Sequence, residues 1–216
     1  MNPLIKICGI TSKDDYATCF DAGATWVGMV YYPGSTRHLN LARLADIATC
    51  GLAMGPNAPE RVLLSVDIIG EALAPLIEAA QPNKLQFHGN EKPDDVAAIK
   101  AQFGLPIIKA VAIETLDDLD QCNKWHSLAD WLLFDAKVRK GFQPGGTGHS
   151  FDWSILRSYK GHVPWMLAGG LNEKNIAEAI RISGAKAIDV SSGVESKPGV
   201  KNSKKIHAFI QATQLA

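Results

Sequence analysis

Along the whole chain, short β-type runs alternate with longer stretches of helical spacing, and this alternation limits the fold more than any other feature. The β-type runs are Leu4–Ile10, Trp26–Tyr32, Arg61–Asp67, Lys84–Gly89, Pro106–Ile113, Trp131–Lys137, Pro164–Gly170 and Ala187–Gly193. Helical spacing fills the intervals over residues 14–22, 41–50, 71–80, 94–102, 116–125, 152–159 and 172–182, and a final stretch, 203–213, closes the chain. Thr11 or Ser12 stands ready to cap the first helix and Asn172 the seventh, while Gly23 and Gly184 sit where helices end. Strands separated by helices need crossover connections, which make the strands parallel. Eight such units in 216 residues predict an α/β fold, a single compact (β/α)8 TIM barrel rather than an open sheet. No linker-like or low-complexity segment divides it, so one catalytic domain, 1–216, is expected.

Charge and composition narrow the function classes. The 22 basic residues balance the 22 acidic ones, which removes the electrostatic footprint of a general nucleic-acid or anionic-membrane binder. No apolar run approaches the ~18 residues that span a bilayer, and the start MNPLIKICG has no signal-peptide pattern, so a cytoplasmic protein is expected. Cys8, Cys19, Cys50 and Cys122 are scattered without CxxC spacing and are read as reduced thiols. No clustered set of histidines and carboxylates predicts a metal.

The chemistry begins at Lys6-Ile7-Cys8-Gly9. In a strand Lys6 and Cys8 share one face and Ile5 and Ile7 the other, so Cys8 lies at the C-terminal end, where barrels keep their active sites. A lone cysteine is more often a small buried apolar residue. By the same alternation, Asp135 in Leu132-Leu133-Phe134-Asp135 faces away from Leu132 and Phe134, toward the cavity that Cys8 reaches; a helix cap or solvated carboxylate is the competing reading. Gln86 and His88 on the fourth run and Asp189 on the eighth also alternate inward. They are expected to hydrogen-bond a ligand or position the acid and base, although a satisfied core polar group competes for His88.

Seven motifs in register carry a resemblance: KICGIT, YYPGSTRHL, LQFHGNE, LLFDAK, GGTGHSFDW, LAGGLNEKNIAEAI and IDVSSGVESKPGVK. Together they resemble the phosphoribosylanthranilate isomerase family, the barrel enzymes of tryptophan biosynthesis, over essentially the whole chain. The third-strand region RVLLSVDI matches less well, and His149 stands where Lys or Arg is common. The resemblance implies the pathway's third step from chorismate, an Amadori rearrangement that turns N-(5-phosphoribosyl)anthranilate into an aminoketose without a cofactor. It implies Cys8 as general base, Asp135 as general acid and Arg37 as the residue that binds the anthranilate carboxylate.

Magnitudes set what such a site must do. With model values of ~3.9 for Asp and ~8.5 for Cys, about one Asp in a thousand is protonated and about three Cys in a hundred are ionised at pH 7. Burial beside Trp131, Leu133 and the substrate ring is expected to favour the protonated acid, and Lys6 is a candidate cation for the thiol. The phosphate needs backbone N–H groups, and glycine clusters follow the last three strands: Gly145, Gly146 and Gly148, then Gly169 and Gly170, then Ser192 and Gly193. Two other readings stay open, a Schiff-base lyase using Lys109 or Lys6 and a non-catalytic phosphate-binding barrel. The expected partner is a small phosphorylated molecule, with no nucleic acid or membrane, acting on a monomer or homodimer.

Overall fold

A computed structural model describes residues 2–136 and 152–216. Eight parallel strands close into a barrel in sequence order: β1 Leu4–Cys8, β2 Trp26–Tyr31, β3 Glu60–Ser65, β4 Lys84–Phe87, β5 Ile107–Ile113, β6 Trp131–Ala136, β7 Trp165–Leu167 and β8 Ala187–Val190. β8 pairs back to β1, with Lys6 opposite Asp189. The outer faces of the strands, including Ile5, Ile7, Val27, Leu63, Phe87, Leu132 and Phe134, form one apolar core with helix residues such as Tyr16, Leu44, Val96, Ile176 and Phe209. Burying each large side chain there contributes ~1.5–3 kcal/mol. Inside the barrel, Trp26, Val62, Ile108, Leu133 and Met166 form a separate apolar layer, floored by the edge-on pair Trp26–Trp131 at 5.2 Å. Cys8 clusters apart from it with Val30 and Leu64.

Helix punctuation explains the outer ring. In α1, Lys13–Ala22, Ser12 and Asp15 form a capping box and Gly23 ends the helix at φ +86°. α2, Leu41–Ala53, is capped by Asn40, and α4, Pro93–Phe103, opens on proline. α3, Ala74–Ala80, follows a 3-10 turn, while α6, Ser203–Gln214, is capped by Asn202. Two expected helices are instead 3-10 segments, Leu116–Trp125 and Trp153–Ser158. Their apolar spacing gives the reason. Leu119, Cys122 and Trp125 are buried and recur every third residue, as do Trp153, Leu156 and Tyr159, which pack on the same core. A 3.0-residue turn stacks such positions into a straight stripe, whereas an α-helix would wind them off the core.

Two further differences from the sequence reading matter at the site. The helix expected from Asn172 begins later, as α5, Ile176–Ser183, with Asn175 at its N-cap. Asn172 makes a turn of its own, accepting from the Lys174 N–H at 2.9 Å and donating its N–H to Asn175 Oδ1 at 2.8 Å. After β8 the chain makes a 3-10 turn, Ser192–Val194, then a small antiparallel hairpin that alternation does not predict: β9 Glu195–Lys197 and β10 Val200–Lys201. Pro198 and Gly199 form its turn, with Gly199 at φ +80°, a conformation side chains resist.

Candidate functional site

The C-terminal ends of β1, β2, β4, β6 and β8 bring Cys8, Arg37, His88, Asp135, Asp189 and Ser191 to one cleft, with Tyr32 and Val66 on its walls. The inward alternation read from sequence therefore holds for Cys8, Asp135, His88 and Asp189. Lys6 lies beneath, fully buried, with its ammonium 2.8 Å from Asp189 Oδ1. Gly28 makes room for this arrangement, because a Cβ there would come within 2.8 Å of Cys8 Sγ and 3.2 Å of Lys6 Nζ.

Charge on this wall differs from the expectation. Burial pushes the Cys8 thiol up and Asp189 adds to the push; Lys6 and Lys201 pull it down, but the net direction is up. The cation is present as predicted, yet it does not overcome desolvation. Burial of Lys6 itself works against its charge, but Asp189 and Cys8 outweigh that and raise its pKa. Lys6 thus stands as a charged partner of Asp189, not as a free amine nucleophile.

Across the cleft, Asp135 Oδ1 accepts the Ala136 N–H at 2.9 Å, and Oδ2 lies 3.4 Å from His88 Nε2. His88 Nδ1 is 3.1 Å from the Gln86 amide nitrogen. With that nitrogen as donor, Nδ1 accepts and the neutral ring carries its proton on Nε2, aimed at Asp135; this tautomer is assigned from the hydrogen bonding. Gln86 is fully buried, and its Oε1 has no hydrogen-bond partner among the described residues. Leu133 belongs to the apolar layer deeper in the barrel and Trp131 packs against it. The surroundings of Asp135 are instead His88, Ala136 and Gly169, a correction to the apolar pocket expected from sequence.

Arg37 reaches the cleft over Gly9. Gly9 has φ +74°, and a Cβ on it would collide with Arg37 Cδ, so the glycine after Cys8 is what lets the arginine stem pass. The guanidinium is not free: Nε donates to Glu195 Oε1 at 2.7 Å and Nη2 to Oε2 at 2.8 Å. Glu195 also accepts from Lys201 Nζ at 2.8 Å and from the Gly199 N–H at 3.2 Å. Its burial opposes ionisation, but Arg37 and Lys201 outweigh that and hold its carboxyl below the usual range. Glu195 and Lys201 are the partners that sequence reading missed. Both stand in the quoted motif IDVSSGVESKPGVK, but nothing in the pattern says that these charges are buried.

At the ends of β7 and β8, Gly169, Gly170 and Ser192 line a small recess with Asp135, Asp189 and Ser191. Gly193 stands beside it for a packing reason, since its missing Cβ would strike the Leu171 carbonyl. Gly145, Gly146, Gly148 and His149 lie outside the described residues. Lys109 faces outward from β5: its ammonium bonds Glu91 Oε2 at 2.8 Å and the Gly89 carbonyl at 2.7 Å and sits over Trp125. Lys109 also lines a wider cavity that His88 and Asp135 share, but its ammonium is held there by Glu91 and the Phe87 and Gly89 carbonyls and is not a free amine. The four cysteines are free thiols, as read. No helix among the described residues is long and apolar enough to cross a membrane, and those residues contain no cluster of three or more potential metal ligands.

Comparison with known proteins agrees along the chain. Residues 5–212 match the family model described as N-(5'phosphoribosyl)anthranilate (PRA) isomerase. An N-(5'-phosphoribosyl)anthranilate isomerase of Paramagnetospirillum magneticum is 46% identical over 97% of this chain and 96% of its own length, and one of Beijerinckia indica is 45% identical over 98% and 94%. The crystal structure of phosphoribosyl anthranilate isomerase from Thermotoga maritima superposes with a TM-score of 0.86 at 30% identity, covering 99% of this chain and all of that one. Another, in complex with reduced 1-(o-carboxyphenylamino)-1-deoxyribulose 5-phosphate, gives 0.84 at 29% with the same coverage. The closed eight-stranded barrel and these matches over nearly its full length place the chain in the phosphoribosylanthranilate isomerase family, the aldose–ketose isomerases of tryptophan biosynthesis.

Proposed function

We propose that Asp135 and Cys8 carry the acid and base steps by which this isomerase converts N-(5-phosphoribosyl)anthranilate to 1-(2-carboxyphenylamino)-1-deoxyribulose 5-phosphate. The observation that carries this reading is that the two side chains open into one cleft from β6 and β1, nearly opposite strands of the barrel. Asp135 gives a proton to the furanose ring oxygen as the C1–O bond breaks and the nitrogen lone pair forms the protonated imine. The Cys8 thiolate then removes the C2 proton. The C–H electrons become the C1=C2 bond, the iminium electrons return to nitrogen, and the enolamine tautomerises to the ketone.

The remaining residues fit the charges of this substrate. Arg37 faces the anthranilate carboxylate, and Gly169, Gly170, Ser192 and Gly193 form the phosphate end. In the three-residue turn Ser192–Val194 the Val194 N–H bonds the Ser191 carbonyl, so the Ser192 and Gly193 N–H groups are the donors this reading gives to the anion. His88 and Gln86 orient Asp135, and Asp189 fixes Lys6 beneath the base. The chain acts as one catalytic domain, in the cytoplasm, as a monomer or homodimer. Incubating purified protein with phosphoribosylanthranilate in the presence of a chelator should yield the aminoketose. Absence of that product, or borohydride trapping of a covalent adduct, would overturn the reading.

A further inference from the structure

We propose that Glu195 is a positioning residue that fixes how Arg37 meets the substrate's aromatic carboxylate, with Lys201 keeping the assembly attractive to an anion. This rests on the reading of Arg37 as the carboxylate-binding arginine. A guanidinium offers five N–H donors in a planar fork. Glu195 occupies one edge of that fork through Nε and Nη2, at 2.7 and 2.8 Å. The edge between Nη1 and Nη2 has no further partner among the described residues and is the two-point face for an incoming carboxylate. Because the Glu195 side chain is 3% exposed and is also bound by Lys201 and the Gly199 N–H, it holds the arginine plane in one orientation.

Charge makes Lys201 necessary. Arg37 and Glu195 alone sum to zero, and a carboxylate approaching a neutral pair gains little. Lys201, with its side chain 1% exposed, is the third charge: burial pulls its pKa below the ordinary value and Glu195, 2.8 Å from the ammonium, opposes that, and with the ammonium protonated the triad carries one net positive charge. Its ammonium also bonds the Ser191 carbonyl at 3.0 Å and the Ser191 hydroxyl at 3.4 Å. One buried triad therefore joins the carboxylate end of the cleft to the loop after β8 that carries Ser192 and Gly193. The hairpin β9–β10 has a reason to exist on this view, since it delivers Glu195 and Lys201 to the same place.

The test compares two non-reacting ligands by calorimetry: reduced 1-(o-carboxyphenylamino)-1-deoxyribulose 5-phosphate and its analogue lacking the carboxylate. Wild type should prefer the first by about ten-fold or more, the scale of one charged hydrogen bond. Glu195→Gln should lose most of that preference and bind the second ligand within about three-fold of wild type. In an Arg37→Ala background, Glu195→Gln should change the preference no further. A pure charge effect has the opposite sign, because removing the carboxylate makes the triad more positive. Unchanged or increased preference in Glu195→Gln would therefore overturn the proposal, as would equal weakening of both ligands. If preference survives Arg37→Ala, the reading of Arg37 fails and this proposal with it; if it is lost there but kept in Glu195→Gln, only this proposal fails. Should Glu195→Gln not fold, Lys201→Met leaves the Arg37–Glu195 pair intact and carries the test. It should lower the preference several-fold with the second ligand unaffected, and no selective drop would overturn the role of the triad.

Discussion

On the β1–β2–β8 side of the cleft, the charged side chains are held by opposite charges at short range: Lys6 by Asp189 at 2.8 Å, Arg37 by Glu195 at 2.7 Å and Lys201 by Glu195 at 2.8 Å. On the β4–β6 side the polar chain is longer and looser, with Gln86 to His88 at 3.1 Å and His88 to Asp135 at 3.4 Å. The first wall is set when the chain folds, its desolvation cost offset by pairing in the interior. The second has slack that a substrate can take up, as catalytic hydrogen bonds often lengthen without ligand and tighten with it. On the proposed assignment, the base that must find one carbon-bound proton sits on the rigid wall. The acid that must follow a ring oxygen as it leaves sits on the adjustable one.

The largest effect should come from removing either proposed proton carrier. Cys8→Ala and Asp135→Asn are each expected to lower kcat by ~10²-fold or more while the fold is retained, as judged by circular dichroism. Near wild-type turnover in either variant would remove that residue from the chemistry. The direction of the Cys8 shift adds a pH test. Only the thiolate can accept the proton, and a raised pKa leaves most of the thiol protonated at neutral pH; in Asp135→Asn, which has no acid proton to lose over the same range, the residual kcat/KM should climb as pH rises from neutral into the alkaline range. Adding Cys8→Ala to that variant should flatten the limb.

Next in size is the contrast between the walls in stability. Lys6→Met leaves the Asp189 carboxylate buried without its cation and should cost ~3–5 kcal/mol in denaturant unfolding. Replacing both, Lys6→Met with Asp189→Leu, should recover much of that loss without restoring activity. His88→Gln on the looser wall should cost ~1 kcal/mol or less, since it breaks contacts that are long or partly exposed. Equal losses at Lys6 and His88 would break the distinction. In turnover, His88→Gln should lower kcat by about ten-fold, the scale of one hydrogen bond to the acid.

The two walls also differ in how legible they were in the sequence. Strand alternation was enough to turn Lys6, Cys8, Gln86, His88, Asp135 and Asp189 inward, because a period of two leaves one choice once the outer face is apolar. The barrel itself followed from counting crossovers. Glu195 and Lys201 were not legible, because they lie on a hairpin after the last barrel strand, where no periodicity predicts direction. Arg37 appeared as a free fork because its partner is 158 positions away along the chain. The 3-10 segment Leu116–Trp125 was legible in principle, since its three-residue apolar spacing was in view and only the turn type was misjudged. The late start of α5 depends on side-chain bonds within Asn172–Asn175, which compete with helix and leave no clear mark in composition.

The smallest expected effects lie at the proposed phosphate end, where the wall is built from backbone. If the Ser192 and Gly193 N–H groups hold the anion, inorganic sulfate should compete with substrate, and the Ser192 hydroxyl should matter little. Ser192→Ala is expected to weaken sulfate competition by no more than about five-fold, the limit for one ordinary hydrogen bond of ~1 kcal/mol. Gly193→Ala should do more although it removes no polar group. Its Cβ would strike the Leu171 carbonyl, so the turn must move away from the loop after β7 and the donors move with it. Gly170 is a poorer probe, because its φ of +66° strains any side chain whether or not an anion is bound. A greater loss in Ser192→Ala than in Gly193→Ala would mean that a side chain, not the backbone, holds the phosphate.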